Sequence, residues 1–494
     1  MILGCLFGLG HEPFNAPMIA FLSLPLTGFF WVNYTKNNRQ SFFLGYFLGL
    51  GYFGLTFSWI TNPFLIEFEN NFWVAIIGYA SFVGSLSFFW GLAFYLSFRA
   101  TQTIDSKKEK VLIFSIFMVL MELTRSYIFT GFPWGIVAYA WMDSPAIIFV
   151  SWLGPYWFSA IILILGFTLF YPTYITFISG LVILFSFLYG VFGNNYQLEG
   201  NHKDKFFTVR IVQPNIKQRE KWKKENENKN LNILLKLSEK KPNPDLVIWP
   251  ETSVTWLPEE NSDKLTNIVK KIKAPLILGG LRVNREKKKI FNSAFLIDKY
   301  GKIVSVYDKS YLVPFGEYFP LTRFLGHIKF FGKHKLLRNG FSPGKGLKVI
   351  EKNSIPPFVT LICYESLFSN EIIAKVNDAK WLVNITNDAW FGKKGGPNQH
   401  LAISRMRALE NNLPLVRVAN TGISAKINKF GKVTKHIPVD KRGSIDVKIN
   451  RQEIIKNSLY NRMGKNISSY LLLLSLISIL VRYLILRKRF YKKL

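Results

Sequence analysis

Cysteine is nearly absent from this chain. Cys5 and Cys363 are the only two among 494 residues, and Cys5 lies in an apolar terminal segment. Two such distant thiols exclude a disulfide framework. Histidine is also scarce, with six residues, and no cluster of His or Cys stands at ligand spacing, which argues against a metal site. Acidic residues are outnumbered, 31 against 63 Lys and Arg, for a net charge of +32. An excess of that size suits nucleic acid or anionic lipid, or is simple Lys-rich drift. No helix-turn-helix, zinc-finger or RNP-like pattern is present, so nucleic acid is set aside as a partner. Internal repeats are missing, and so are low-complexity linkers beyond polar joints near Gly193–Lys205 and Asn457–Asn466.

What the chain has is apolar sequence. It is 49% hydrophobic and 16% aromatic, with mean hydropathy +0.15. That is too apolar for an ordinary soluble protein and too charged for one wholly within a membrane, so a membrane block plus a separate polar domain is expected. Asn15–Val32, Phe42–Ile60, Phe72–Phe98, Val111–Phe129, Ala146–Phe170, Tyr174–Phe192 and Tyr470–Leu486 are each near the ~20 residues a helix needs to cross hydrocarbon. Met1–Leu9 is apolar but short. Neither a basic leader nor a small-residue cleavage site marks it as a signal peptide. Lys36 and Arg39, then Arg99, Lys107, Lys108 and Lys110, and finally the tail RKRFYKKL follow alternate spans, which puts these clusters on the cytoplasmic side. The span Tyr174–Phe192 then exits on the other face, and the long polar stretch after it is extracytoplasmic. The expected boundaries are 1–193 for the helical block, 206–452 for the outer domain and 468–487 for a last transmembrane helix.

From Phe206 onward the pattern changes. FTVRIVQPN, DLVIWPE, PLILGGL, NSAFLID, IVSVYDK, VTLICYE, WLVNITND and LVRVANTG read as strands. NKNLNILLKLSEK, SDKLTNIVKKI and HLAISRMRALENN read as helices, the last opening after Pro397. Alternating strands and helices predict an α/β domain whose sheets are covered by helices.

Several strands end in reactive side chains. VIWPE delivers Glu251, VYDKS delivers Lys309, VPFGE delivers Glu317, and LICYE delivers Cys363, Tyr364 and Glu365. Strand ends are where an α/β scaffold holds polar groups in a crevice. The set suits covalent catalysis by a thiolate: a Glu takes the thiol proton, a Lys ammonium stabilises the oxyanion, and the Tyr364 N–H adds a second donor. Taken singly, each residue also has a plain structural reading. A lone strand-end Cys is often a small buried hydrophobe, Glu251 could simply end a strand, Lys309 is one Lys of many, and PFGE could be turn chemistry.

Together these residues resemble the nitrilase superfamily, whose site combines Glu, Lys and Cys, usually with a second Glu. One branch is matched closely, the apolipoprotein N-acyltransferases. The resemblance covers nearly the whole chain: LTRSYIFTGFPWGIVAY in the helical block, then VQPNIKQREKW, VIWPE, YDKSYLVPFGEYFP, LICYES, ITNDAWFGKKGGPNQH and MRALENNLPLVRVANTGISA. It implies an α-helical transmembrane block of about eight helices, the first one short, carrying an extracytoplasmic α/β domain of nitrilase-like αββα sandwich type. Residue by residue, it implies Glu251 as general base, Lys309 at the oxyanion, Cys363 as nucleophile and Glu317 assisting Lys309. Tyr364 and Glu365 would shape the surroundings of the cysteine, and Trp222 would contact substrate. The chain begins within the family's first membrane helix.

The resemblance further implies a two-step acyl transfer. Cys363 would take an acyl group from a phospholipid as a thioester and pass it to the α-amine of a diacylglyceryl-cysteine at the N-terminus of a lipoprotein precursor. No metal or other cofactor is implied. The expected setting is a monomer in the bacterial inner membrane, in contact with membrane lipids, its catalytic domain periplasmic and its C-terminal tail cytoplasmic. Leu321–Phe341 mixes aromatic, Leu and basic residues, and reads as a flexible arm at the headgroup layer or as a packed surface loop. GFPW, Gly131–Trp134, reads as a lipid-entry edge or as part of an interfacial aromatic belt. Two rival readings stay open: a membrane-tethered amidase that uses water as acceptor, and a non-catalytic membrane scaffold.

Overall fold

The computed structural model describes residues 1–67, 72–128, 130–193, 206–260, 262–318, 340–352, 354–376, 378–450, 458–463 and 466–491. Apart from Gly340 and Phe341, the arm Leu321–Phe341 lies outside the described residues. The chain forms two units: Met1–Asn201 with Lys394–Ala402 and Ser458–Leu494, and His202–Lys393 with Ile403–Asn457.

The first unit is helical. Some of its helices start where side chains accept the orphan N–H groups of a first turn, and others, Pro17–Tyr34 and Pro155–Thr168, start on a proline that has no N–H to satisfy. Asn37 accepts from the Gln40 N–H at 2.8 Å ahead of helix Asn38–Thr56. Thr173 and Thr176 form a reciprocal cap ahead of helix Tyr174–Phe192. Among the described residues, Phe72–Ala100 and Tyr174–Phe192 are long and apolar enough to cross a membrane. Asn38–Thr56 joins them if it counts as one span with Ser58–Ile66, from which it is bent by 65°. By length and composition this is fewer than the eight helices expected. The stretch Ala146–Phe170, expected as one span, is broken. A 3₁₀ turn at Pro145–Phe149 and a short helix Val150–Leu153 precede Gly154, whose φ of +86° turns the chain before Pro155 starts helix Pro155–Thr168. A side chain at Gly154 would overlap the Tyr460 ring, so glycine is required there both for its φ and for space.

Helix Lys107–Tyr127 buries an ion pair, Glu122 and Arg125, at 2.8 Å. Trp90 Nε1 donates to Glu122 at 2.7 Å, and Arg125 donates to the carbonyls of Phe132 (2.7 Å) and Trp134 (2.9 Å). A charge in an apolar block is retained when partners of this kind surround it. These bonds hold the GFPW loop. Trp134 itself is buried and donates to Gln399 at 2.9 Å, so it does not belong to an aromatic belt facing lipid. Gln399 also accepts from Trp59 and donates to the carbonyls of Glu12 and Thr56.

Among the described residues, the second unit has twelve strands: β1 Phe206–Gln213, β2 Leu246–Ile248, β3 Leu276–Asn284, β4 Lys289–Ile297, β5 Ile303–Asp308, β6 Val349–Lys352, β7 Ile355–Ile362, β8 Trp381–Thr386, β9 Leu415–Ala419, β10 Ser424–Ile427, β11 Val433–Ile437 and β12 Gly443–Asn450. They form two six-stranded sheets, β12-β1-β2-β3-β4-β5 and β11-β10-β9-β8-β7-β6. Each has a parallel centre, β1-β2-β3 in one and β7-β8-β9 in the other, flanked by antiparallel strands. The central strands are buried along nearly their whole length, which explains their continuous apolar runs. The sheets pack face to face, β1 against β9 and β4 against β7. Gln213, at the end of β1, crosses between them and accepts from the Ser424 N–H at 3.1 Å. Helices Glu227–Ser238 and Asp263–Ile272 cover the outer face of the first sheet. Leu234, Leu235, Leu265, Ile268, Val269 and Ile272 pack there with Val247, Trp249 and Leu278. The eight strands expected from sequence are all present. The short β6, the short buried β10 and the partly exposed β11 and β12 are additions.

Candidate active site

Glu251 stands three residues past β2. The turn that carries it is tight: Thr252 has φ +43°. It lies directly on β3, where a Cβ at Gly279 would overlap Pro250 O and Glu251 Cα. Only glycine permits that approach. Ser253 completes the seat, its N–H and hydroxyl both donating to Gly279 O, at 2.8 and 2.9 Å.

Lys309 directly follows β5, its N–H bonded to Asn292 O on β4 at 2.8 Å. The side chain is 1% exposed. Its ammonium lies 2.8 Å from Glu317 Oε1 and 3.5 Å from Glu251 Oε1. Glu317 is held in turn by the Val313 N–H at 2.8 Å. Asn292 reaches between the two acids and donates to Glu251 at 2.7 Å and to Glu317 at 3.3 Å. One cation thus faces two carboxylates in a buried site. Burial alone would lower the Lys309 pKa, but Glu317, Glu251 and the Cys363 sulfur outweigh it and hold the ammonium above its ordinary range.

Cys363 comes from the other sheet, as the residue immediately after β7 and the first of a 3₁₀ turn, Cys363–Leu367. Its φ is +51°, a left-handed conformation that costs a non-glycine residue about 1 kcal/mol or more. A sharp strand-to-helix turn of this kind presents a nucleophile at the sheet edge. Burial pushes the thiol pKa up and the Glu251 carboxylate adds to that, while Lys309 and a Thr386 hydrogen bond pull it down. The balance is a protonated thiol at rest, which needs a base rather than a pre-formed thiolate.

Glu365 ties the two sheets together. Its Oε1 accepts from the Tyr307 hydroxyl (2.5 Å), the Ser310 N–H (2.6 Å) and the Ser310 hydroxyl (2.8 Å), while Oε2 accepts from the Ile362 N–H (2.7 Å). Burial raises its pKa, and those same donors oppose the rise. Glu365→Ala would leave these four donors and the Tyr311 N–H, which reaches Oε1 at 3.3 Å, without their acceptor. It is expected to destabilise the protein by roughly 3 kcal/mol or more and to lower acyl transfer with it. Thermal unfolding beside an activity assay checks this; an unchanged melting temperature would refute the role. Tyr364 is buried, with its ring edge-on to Phe368 at 5.3 Å.

Trp222 is not gathered with these groups: it is 47% exposed. Its neighbour Lys221 is the one that reaches inward. Sequence reasoning also passed over Asn292, which with Ser293 makes a buried polar pair within β4, and the groups behind Cys363. There Thr386 donates to Asp388 at 2.9 Å, and Asp388 pairs with Arg417 at 2.6 Å, acid and guanidinium both fully buried. The polar pair Asn292–Ser293 inside an apolar run was the available signal for Asn292; ITNDAW was the signal for the pair Thr386 and Asp388.

Two family profiles match the chain: the one described as apolipoprotein N-acyltransferase N-terminal domain over residues 3–168, and the one described as carbon-nitrogen hydrolase over residues 208–456. A curated apolipoprotein N-acyltransferase of Rickettsia bellii is 32% identical across 99% of this chain and 97% of its own length. The chain belongs to the apolipoprotein N-acyltransferase family. The same name is carried by a relative from Rhodopseudomonas palustris, 29% identical over 98% of this chain and 94% of that protein. It is carried as well by one from Brucella melitensis, 31% identical over 82% and 78%. Membership makes this apolipoprotein N-acyltransferase family chain an acyltransferase. Its carbon-nitrogen hydrolase match covers every residue of the cluster around Lys309.

Proposed function

We propose that this enzyme N-acylates the N-terminal S-diacylglyceryl-cysteine of lipoprotein precursors, taking the acyl group from a membrane phospholipid through a thioester on Cys363. The observation that carries the reading is one buried cluster in a family of acyltransferases: Lys309 between Glu251 and Glu317, beside a protonated Cys363.

In the first half-reaction Glu251 takes the thiol proton as sulfur attacks the phospholipid ester carbonyl. The Lys309 ammonium, with the Tyr364 N–H, stabilises the oxyanion. The C–O bond breaks, and the departing lysophospholipid oxygen takes the proton from Glu251. In the second half-reaction the lipoprotein α-amine attacks the thioester and gives a proton to Glu251. The C–S bond breaks, and the sulfur is reprotonated. Thioester to amide is downhill, so no other energy source is required. Glu317 orients Lys309, Glu365 fixes the Cys363 turn, and exposed Trp222 offers a contact for incoming substrate.

The assignment extends to the setting. Residues 1–193 form a transmembrane block together with a last helix at 468–487, and the helices too polar or too short to qualify alone cross beside Phe72–Ala100 and Tyr174–Phe192. The basic loops and the C-terminal tail face the cytoplasm, so the catalytic domain 206–452 works as a monomer on the periplasmic side of the bacterial inner membrane.

Intact-protein mass spectrometry tests the chemistry. Incubation with phospholipid should give a hydroxylamine-labile, acyl-sized adduct on Cys363 that moves to an added diacylglyceryl-cysteine peptide. An adduct discharged only by water would replace transfer with hydrolysis.

A further inference from the structure

Lys221 is a lysine in an unusual place. It ends the short helix Gln218–Lys221, one residue before exposed Trp222, yet it is itself 3% exposed. Its Nζ donates to the Thr252 hydroxyl at 2.6 Å and to the Glu251 carbonyl at 3.2 Å. Both acceptors belong to the turn that carries Glu251. That turn is strained at Thr252 and seated on Gly279 from the β3 side. Lys221 provides the hold from the helical side.

We propose that Lys221 is the positioning residue for Glu251: its ammonium clamps the left-handed Glu251–Thr252 turn and so aims the carboxylate at the Cys363 thiol. The inference rests on Glu251 acting as the base. A neutral donor could satisfy the Glu251 carbonyl and the Thr252 hydroxyl without the cost of burying a charge, and neither of these acceptors is a carboxylate. The charge therefore serves the Glu251 carboxylate nearby, as a second cation beside Lys309. Burial lowers the Lys221 pKa to about 8, with Glu251 pulling against the shift. The other acid facing this region is Glu227, which opens helix Glu227–Ser238, lines a small cavity with Lys221 and is paired to Lys264 at 2.7 Å. As pH rises past about 8 the clamp loses its proton, and thiol activation weakens with it.

Iodoacetamide labelling of Cys363 in the full-length protein reads this out without any lipid substrate. Labelling rates are followed by intact mass from pH 6 to 10, with thermal unfolding alongside. Lys221→Met is expected to slow labelling at pH 7.5 by about tenfold or more. Lys221→Arg keeps the charge at every pH; it should restore the rate to within about threefold and remove the inflection near pH 8. Thr252→Val should give a smaller loss in the same direction. Wild-type rates and profile in Lys221→Met would overturn the clamp. So would equal loss in Lys221→Met and Lys221→Arg with lowered melting temperatures, since that assigns Lys221 to folding alone. Glu251→Gln separates the two readings. If it slows labelling while Lys221→Met does not, the clamp fails and the base stands; if it labels at the wild-type rate, both fail.

Discussion

Cys363→Ala is expected to abolish acyl transfer, by about 10⁴-fold or more, because both half-reactions of the proposed mechanism pass through its sulfur. The protein should still fold. Alanine fits the same buried turn, and the φ of +51° is no harder for it than for cysteine, so the melting temperature should move by only a few degrees. The pair of readouts matters: loss of activity with retained stability separates chemistry from folding. Cys363→Ser should be almost as inactive, since a hydroxyl is a far weaker acid than the thiol that Glu251 must deprotonate. Turnover by Cys363→Ala above the uncatalysed background would mean direct transfer from lipid to amine and would end the thioester mechanism.

Lys309→Met should damage both activity and stability. The oxyanion loses its cation, a loss of about 10²–10³ in rate. Glu251 and Glu317 also lose the charge between them and are left facing each other in the interior, with only the Asn292 amide bridging them. Breaking a buried pair in this way costs roughly 3–5 kcal/mol. Lys309→Arg should not rescue, because a planar, delocalised guanidinium does not reproduce the compact charge that stands 2.8 Å from Glu317 and 3.5 Å from Glu251. The double variant Lys309→Met/Glu317→Gln divides the two effects. Neutralising Glu317 should recover much of the stability and none of the activity, as a thermal and kinetic double-mutant cycle would show. Full activity in Lys309→Met would remove Lys309 from the mechanism.

Much of this was legible in the sequence. VIWPE and LICYE announce their reactive residues because a buried parallel strand is a short apolar run, and a polar residue at its end has few structural reasons to be there; VYDKS ends the half-buried antiparallel edge strand β5, so Lys309 was legible only in company with them. β10 and β11 were not legible, because SAKI and VTKHI are too short and Lys-bearing to stand apart from loop, whereas GSIDVKIN alternates polar residues with Ile445, Val447 and Ile449, a period-two sign of β12 that was passed over. Lys221 was hidden by the abundance of lysine, for its burial comes from tertiary packing. The break at Gly154 did carry a local sign. Gly followed by Pro inside an apolar run marks a turn, but length and hydropathy alone read the run as one helix.

On the proposed roles, the base and the nucleophile arrive on different sheets, Glu251 beyond β2 and Cys363 beyond β7. A half-formed domain therefore holds a thiol with no base, or a base with no thiol. With those roles, the protein is chemically silent until the two sheets meet and Glu365, bonded to Tyr307 and Ser310, latches them. The fold would then work as an assembly interlock: no acyl group can be taken onto the thiol before the domain is whole.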